Sequence, residues 1–357
     1  MVKYSKIAML ISSSINGGAQ GLLANLAESL AVKIDLIVIC PAGPLVAKLR
    51  TMGINTIEKD VRISTMGDVR KIILEWAGEN DCIVNPFLFG TSVLCAWTFR
   101  NDKNCHVFSW LFNPIIREDL NFIKQQAYIL ITKIIGRYSD VIGVGSPELE
   151  KDVLALTKKR PIYLENRVPN KMPEKKSFYK KNRPLKVCFV GRMAEEKRPD
   201  IFVRTAKIAH DTGASIQFYM TGEGPMKDGV INFISTNNLS ETVKLVGYVK
   251  DIYEFYSSMD VLLITSEYEN SPLAVLEAMN ASLAVVAGNV VGIPHLINNG
   301  VDGLVTKEYS EEGFAKEILV LYDNPQLLET LGRNSYKKSI TEFSFDKFVD
   351  NYLNALA

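Results

Sequence analysis

Two glutamates, Glu269 and Glu277, stand eight residues apart in SEYENSPLAVLEAMN (266–280), and GRMAEEK (191–197) supplies Arg192 and Lys197. A guanidinium and an ammonium set against a helix start are what a diphosphate requires. A carboxylate has two oxygens and accepts hydrogen bonds from a pair of neighbouring hydroxyls. A nucleotide-sugar presents this pattern, with a ribose and a hexose on either side of a diphosphate. The carboxylates then bind sugar, and the cations handle the phosphate charge. Taken without Arg192 and Lys197, the same glutamates read as a solvated helix residue and a loop charge.

Local sequence says how these groups are placed. DVLLIT (260–265) is an apolar strand that feeds the SEYEN loop. Ser271 suits an N-cap and Pro272 the first helical position, where a missing N–H is harmless. Leu273, Leu276 and Met279, with Ala274 and Ala278, recur at helical spacing and face a sheet. Glu269 then lies in the loop and Glu277 about a turn and a half inside the helix, roughly 7–8 Å along its axis.

The remaining elements form two alternating βα series. KIAMLI, IDLIVIC, DCIVNP, CHVFSW and SDVIGVG are the strands of the first, and SSSINGGAQG (12–21) is the loop after its first strand. LKVCFV, SIQFYM, VKLVGY, DVLLIT and LAVVAG belong to the second, with TGEGP after SIQFYM. Short apolar runs between helical stretches indicate parallel strands covered on both faces. The expected architecture is α/β, with two doubly wound Rossmann-like domains facing across a cleft. The first spans 1–170 and the second 185–340. The stretch 171–184 is a basic, proline-marked linker with little to bury, and 341–357 is a C-terminal helix able to pack back on the first domain. Ligands of such sheets sit outside the C-terminal strand ends, where all these loops lie.

The chain has 357 residues, 47% apolar and 23% charged, an ordinary globular composition too long for one core. Its five cysteines are scattered with no CxxC pair, as suits a reducing cytoplasm. The run IAMLI is too short for a signal peptide. The charge-free window Cys82–Phe99 contains Asn85, Pro86 and Gly90 and reads as strand, turn and helix rather than a membrane span. A net charge of +1 hides a split: 26 Lys and Arg against 17 Asp and Glu in residues 1–184, and 15 against 23 in 185–357. The split is read either as chance plus a basic linker or as a first domain that meets an anionic membrane on its inner face. Nucleic acid is not expected, because the basic residues are dispersed and no RNA or zinc-finger motif accompanies them. No Asp-x-Asp occurs, and the three histidines are far apart, so a metal-free site without cofactor is expected.

The second half resembles the retaining glycosyltransferases of family four, which have the GT-B fold. Their sugar-nucleotide domain carries GRxxxxK, GxGP and two glutamates separated by seven residues. Here these are Gly191, Arg192 and Lys197; Gly222, Glu223, Gly224 and Pro225; and Glu269 with Glu277. VVGIPHLINNGVDGLV (290–305) is similar to the next loop and strand, with Val291 in place of a glycine and His295 in place of a glutamate. The four motifs stand in family order over about 185–345. The first half resembles the family more loosely. NGGAQ (16–20) is like its glycine-rich loop, Arg167 of LENRV stands where glycine is common, and Phe112 stands where a histidine often lies near the reacting sugar. His106, at the other end of that strand, is read as structural.

The resemblance implies roles residue by residue. Arg192 and Lys197 neutralise the diphosphate and support the leaving nucleoside diphosphate. Glu269 holds the transferred sugar and Glu277 the ribose. Asn270, Ser271, Pro272 and Leu273 line the sugar and phosphate, although proline has no N–H to give. Gly17 and Gly18 close on the donor, Gly222 of the GxGP motif is among the donor-binding residues, and Tyr248 and Val249 meet the base. The implied activity is metal-independent transfer of a hexose or hexosamine, with UDP the preferred nucleotide, to a glycan or lipid-linked acceptor of cell-surface polysaccharide synthesis. Six aromatic residues of the first domain (Phe87, Phe89, Trp97, Phe99, Trp110, Phe112) are read either as core or as a surface for a membrane-held acceptor. A dehydrogenase is disfavoured because NGGAQG and GEGPMK both lack the full GxGxxG. An epimerase lacks a convincing acid–base pair. A non-catalytic partner subunit that binds nucleotide-sugar or glycan remains the alternative, and Phe112 favours it.

Overall fold

The computed structural model describes residues 4–15, 17–112, 115–116, 121–249, 251–269 and 271–356. The chain divides into two compact units: Met1–Asn166 with Phe345–Ala357, and Arg167–Ser344.

Among the described residues of the first unit, seven parallel strands run in the order β3-β2-β1-β4-β5-β6-β7. They are β1 (Lys6–Ile11), β2 (Asp35–Cys40), β3 (Thr56–Glu58), β4 (Cys82–Phe87), β5 (Cys105–Leu111), β6 (Val141–Val144) and β7 (Ile162–Tyr163). The sheet reverses its winding between β1 and β4, where Lys6 is in register with both Asp35 and Cys82. Residues 7–11 are wholly buried, as continuous apolar strands covered on both faces must be. The short strands β3 and β7 are not foreshadowed by the sequence; two or three residues leave no periodic signal. The window Cys82–Phe99 is β4 followed by the helix Phe89–Thr98. Among the described residues no helix is long and apolar enough to cross a membrane.

The terminal helix Phe345–Ala355 belongs to this first unit. Its Tyr352 hydroxyl donates to Asn85 Oδ1 at 2.7 Å, and Phe348 stacks on Trp110. Of the two readings of the six aromatic residues, the core reading holds for three. Phe87, Phe99 and Trp110 are core, Phe89 and Phe112 are half-buried, and of the six only Trp97 is largely exposed.

Among its described residues, the second unit has six parallel strands in the order β10-β9-β8-β11-β12-β13. They are β8 (Leu185–Val190), β9 (Ile216–Thr221), β10 (Val243–Gly247), β11 (Val261–Ile264), β12 (Ala284–Gly288) and β13 (Leu304–Thr306). The winding reverses between β8 and β11, so the loops that leave these two strands diverge on either side of the switch point, where doubly wound sheets bind ligands.

The expected linker 171–184 is part of this unit. Phe178 and Tyr179 are buried in its core. Arg183 donates to both oxygens of the buried Asp260 at 2.6 and 2.7 Å, and Lys175 Nζ lies 3.5 Å from the same carboxylate. Burial pushes the Lys175 ammonium below the usual lysine range, against the opposing pull of Asp260. A polar average over the stretch conceals two aromatic anchors and a basic pair that has one acid to meet.

Candidate functional site

Four of the second unit's strands end in loops that are tied to one another. Met193 N–H donates to the Glu223 carbonyl and Met226 N–H to the Met193 carbonyl, both at 2.9 Å, which joins the loop after β8 to the loop after β9. Gly222 N–H and the Thr221 hydroxyl both donate to the Gly247 carbonyl, at 3.1 and 2.6 Å, which brings in the end of β10. Thr265, just past β11, has its hydroxyl 3.1 and 2.9 Å from the carbonyls of Lys197 and Arg198. Glu267 N–H donates to the Glu196 carbonyl at 3.1 Å, and the Tyr309 hydroxyl donates to the Thr265 carbonyl at 2.8 Å.

Two glycines make this closeness achievable. A Cβ on Gly222 would stand 1.9 Å from the Gly191 carbonyl oxygen, and one on Gly224 would stand 2.3 Å from that of Met193. Gly222 also has φ +128°, which L side chains rarely adopt. Gly222→Ala is therefore expected to destabilise the second unit by at least about 2 kcal/mol, because a backbone atom cannot rotate out of the way. Urea unfolding of the variant beside the wild type measures it. An unchanged midpoint would show that the loops after β8 and β9 do not pack this way.

At the switch point Lys197 Nζ lies 2.6 Å from Glu269 Oε1. The Ser266 hydroxyl donates to the same oxygen, also at 2.6 Å. The Glu269 side chain is only 7% exposed and that of Lys197 29%. This contact departs from a simple division of labour in which the cation meets phosphate and the carboxylate meets sugar. Lys197 has three donors and a carboxylate two acceptor oxygens, so their mutual contact does not use up the hydrogen-bonding capacity of either. Glu269 is fixed from behind as well, since its carbonyl accepts from Gly292 N–H at 2.9 Å. That bond recruits the Val290–Gly292 stretch singled out in the sequence.

Arg192 is exposed and donates to Glu196 Oε1 at 2.6 Å, four residues along. Burial pushes the Glu196 carboxyl up, but the Arg192 hydrogen bond, a backbone hydrogen bond and the charges of Arg192 and Lys197 together leave the group below its usual range. The pair lies on the loop that positions Lys197, whose 3-10 turn Glu195–Lys197 ends at Arg198 in the left-handed region (φ +47°). That conformation is unfavourable for a residue other than glycine, and Asp200 holds it through two 3.0 Å bonds to the guanidinium.

The helix that carries the second glutamate is Leu273–Asn280, with Pro272 as its N-cap. Ser271 is thus not the cap, and the expected start moves by one residue. Proline at the cap is tolerated because an N-cap is not asked for a helical N–H. Ser271 and Pro272 are buried and Leu273 is half-buried. Glu277 is half-buried with Oε2 3.5 Å from the hydroxyl of Tyr256, itself wholly buried on the neighbouring helix Ile252–Ser257. Tyr248 is exposed and Val249 half-buried just beyond β10. Asn270 lies outside the described residues, as does Asn16 of the glycine-rich loop. Gly17 and Gly18 open the helix Gly18–Leu30 of the first unit and are exposed.

Ser266, Glu196, Thr265, Tyr256 and Tyr309 join the site without standing in any motif position. Ser266 carries one signal in the sequence, its place three residues before Glu269 in the same loop. Glu196 lies within GRMAEEK and Thr265 ends DVLLIT without a signal of its contacts, while Tyr256 and Tyr309 act from separate elements and carry none. His106 packs 4.9 Å from Tyr4 with Nδ1 3.7 Å from Asp140, while Phe112, just past β5, stacks on Phe87. Among the described residues no three of His, Cys, Asp and Glu group as metal ligands would.

Two parallel, doubly wound Rossmann-like units with these loops at a switch point define the GT-B class of fold. Residues 170–338 match the family model described as Glycosyl transferases group 1. Alpha-D-kanosaminyltransferase of Streptomyces kanamyceticus is 28% identical over 47% of this chain and 44% of its own length. Poly(ribitol-phosphate) alpha-N-acetylglucosaminyltransferase of Staphylococcus aureus is 27% identical over 47% of this chain and 34% of its own. The chain thus spans less than half the length of these two relatives. In fold, it matches Anabaena Alr3699/HepE, solved in complex with UDP and glucose, with a TM-score of 0.83, 17% identity and 99% of both chains covered. S. aureus TarM, solved as a G117R mutant with Fondaparinux, alpha-GlcNAc-glycerol and UDP, matches with a TM-score of 0.78, 15% identity and 99% of both chains covered.

Proposed function

We propose that this chain is a retaining glycosyltransferase. It moves a hexose or hexosamine from a nucleotide-sugar, UDP-linked by preference, to a glycan or lipid-linked glycan acceptor in cell-surface polysaccharide synthesis. The observation that carries the reading is the Lys197–Glu269–Ser266 cluster at the switch point of the second sheet. Lys197 and Arg192 offset the diphosphate charge that grows as the leaving group departs, the term that usually contributes most to such catalysis. Glu269 accepts from hydroxyls of the transferred sugar and Glu277 from the ribose. Ser271, Pro272 and Leu273 line the phosphate and sugar with Asn270 and Gly222, Tyr248 and Val249 meet the base, and Gly17 and Gly18 offer bare backbone to the donor. The acceptor hydroxyl attacks the anomeric carbon on the leaving-group face. The bond from that carbon to the phosphate oxygen breaks, and the acceptor proton passes to the departing diphosphate. No metal is needed where two cations already face the phosphates.

The relatives' names support the substrate class. One transfers N-acetylglucosamine to a ribitol-phosphate polymer, and an Escherichia coli relative is named for transfer from UDP-Gal to a diphosphoundecaprenol-linked GlcNAc. A thermal-shift panel of UDP- and GDP-sugars, each with and without EDTA, tests the proposal. One UDP-sugar is expected to raise the melting temperature selectively by mass action and to be turned over with a glycan acceptor, equally with and without EDTA. No stabilisation by any nucleotide-sugar would sink it. A second reading, a non-catalytic partner subunit, draws on Phe112, whose ring packs on Phe87 and Trp110 and offers no acid–base group. Stabilisation without turnover across donors and acceptors would favour that reading.

A further inference from the structure

The first unit contains a helix that no sequence motif marks, Phe122–Tyr138, FIKQQAYILITKIIGRY. Its inward face is set by the buried Thr132, Ile135 and Gly136. The opposite face carries Ile123, Ala127, Leu130 and Ile134 at i, i+4, i+7 and i+11, a continuous apolar spine. Phe122 is 77% exposed, Ile123 79% and Leu130 60%. Ile116, on the chain just before the helix, is exposed too. A soluble surface helix normally reserves that face for charged and polar residues, so an apolar spine there marks an interaction surface.

The charges around the spine say what it meets. The 17 residues contain no Asp or Glu, and Lys124, Lys133 and Arg137 are exposed along the helix. At its C-terminal end Tyr138 packs edge-on against the 51% exposed Trp97, which in turn lies under the Arg100 guanidinium. Large apolar side chains along one line, basic side chains beside them, a tryptophan at the border and no acid within the helix itself are the composition of a helix lying in an anionic membrane interface. The first unit as a whole holds 20 Lys and Arg against 18 Asp and Glu, so the attraction comes from this local basic cluster and not from net charge.

We propose that the exposed face of Phe122–Tyr138 is a membrane-docking surface that seats the first unit on an anionic bilayer. Ile123, Leu130 and Phe122 enter the boundary of the acyl chains. Lys124, Lys133, Arg137 and Arg100 meet lipid phosphates. The helix is about 25 Å long, enough to lie along the surface and too short and polar to span. This also reassigns the membrane role that composition suggests for the aromatics of 87–112. Phe87, Phe99 and Trp110 are core, and the residues that reach outward lie mainly on the next helix.

Flotation of the full chain with vesicles of phosphatidylcholine alone, and of phosphatidylcholine mixed with phosphatidylglycerol, tests this without any donor or transfer reaction. Its outcome is therefore separate from that of the proposed activity. The wild type is expected to float with the anionic vesicles only, less so at high salt. Ile123→Ser with Leu130→Ser should lower the vesicle-bound to free ratio by at least about tenfold. Lys133→Glu with Arg137→Glu should lower it by roughly fivefold or more per charge at low salt and flatten the salt dependence. Both pairs alter exposed residues, and an unchanged melting temperature confirms that each variant is folded. A wild type that stays below both vesicle types overturns the proposal. So does flotation of the variants equal to that of the wild type. If the wild type is a dimer by light scattering and Ile123→Ser with Leu130→Ser makes it monomeric while flotation is unchanged, the face joins two copies and the proposal is likewise overturned.

Discussion

Lys197→Ala is expected to lower kcat/KM for sugar transfer by roughly a thousandfold, near the upper end for removal of one preorganised electrostatic group. The side chain does two things that alanine cannot. It supplies a positive charge to a diphosphate that becomes more negative as the bond to the sugar breaks. It also compensates Glu269, whose carboxylate is almost wholly buried with Lys197 at 2.6 Å and the Ser266 hydroxyl as its other partner on that oxygen. Without the ammonium, Glu269 is left as a buried carboxylate short of its cation, which spoils its grip on sugar hydroxyls. A loss carried mostly by kcat would mean that the charge acts in the transition state, and a loss carried by KM would mean uniform binding. Glu269→Gln separates the two duties. It keeps the shape and one acceptor, leaves Lys197 in place and removes the charge. If Lys197→Ala transfers sugar within about threefold of the wild type, the cluster is not the reacting centre.

Much of this centre is legible in the amino-acid sequence, for a physical reason. Doubly wound sheets place every strand's exit loop at one edge, so residues distant in sequence but adjacent to strand ends are adjacent in space. Gly191–Lys197 and Ser266–Glu269 leave β8 and β11, the two strands at the switch. Their meeting follows from topology, and the topology follows from short apolar strands alternating with amphipathic helices. The direct contact of Lys197 with Glu269 is less legible. Motif spacing assigns each residue a ligand but says nothing of how the site satisfies its own charges, and a buried carboxylate beside an ammonium will pair with it. Thr265 shows a further limit. It reads as the last residue of an apolar strand, yet its hydroxyl ties β11 to the carbonyls of Lys197 and Arg198, a role visible only when the two loops are placed together. The helix Phe122–Tyr138 is hidden for the opposite reason. It is apolar on both faces, so its pattern has weak amphipathic contrast and resembles a buried element.

The larger effect on stability is expected at Asp260→Asn, a loss of about 3–5 kcal/mol, as when one partner is removed from a buried ion pair. Asp260 stands immediately before β11 with its side chain wholly buried. Its carboxylate accepts from both terminal nitrogens of Arg183, at 2.6 and 2.7 Å, and from Lys186 N–H at 3.1 Å, with Lys175 at 3.5 Å. Its backbone N–H donates to the Lys186 carbonyl at 2.9 Å, so the same residue aligns the start of β11 with β8. Asparagine keeps the shape. It removes the only negative charge among these partners and turns one acceptor into a donor facing other donors, leaving two buried or half-buried cations without compensation. The 171–184 stretch is held to the second unit by this carboxylate together with the burial of Phe178 and Tyr179, so the loss should be felt there first. Urea unfolding should show the lowered midpoint. Trypsin should cut the variant at Lys180 and Lys181 at denaturant concentrations where the wild type is still protected. Arg183→Gln should cost less, about 1.5–3 kcal/mol, because Lys175 and the Lys186 amide remain for Asp260. The double variant should fall well short of the sum, since both changes remove one interaction. Additive losses would place the stretch as a linker after all.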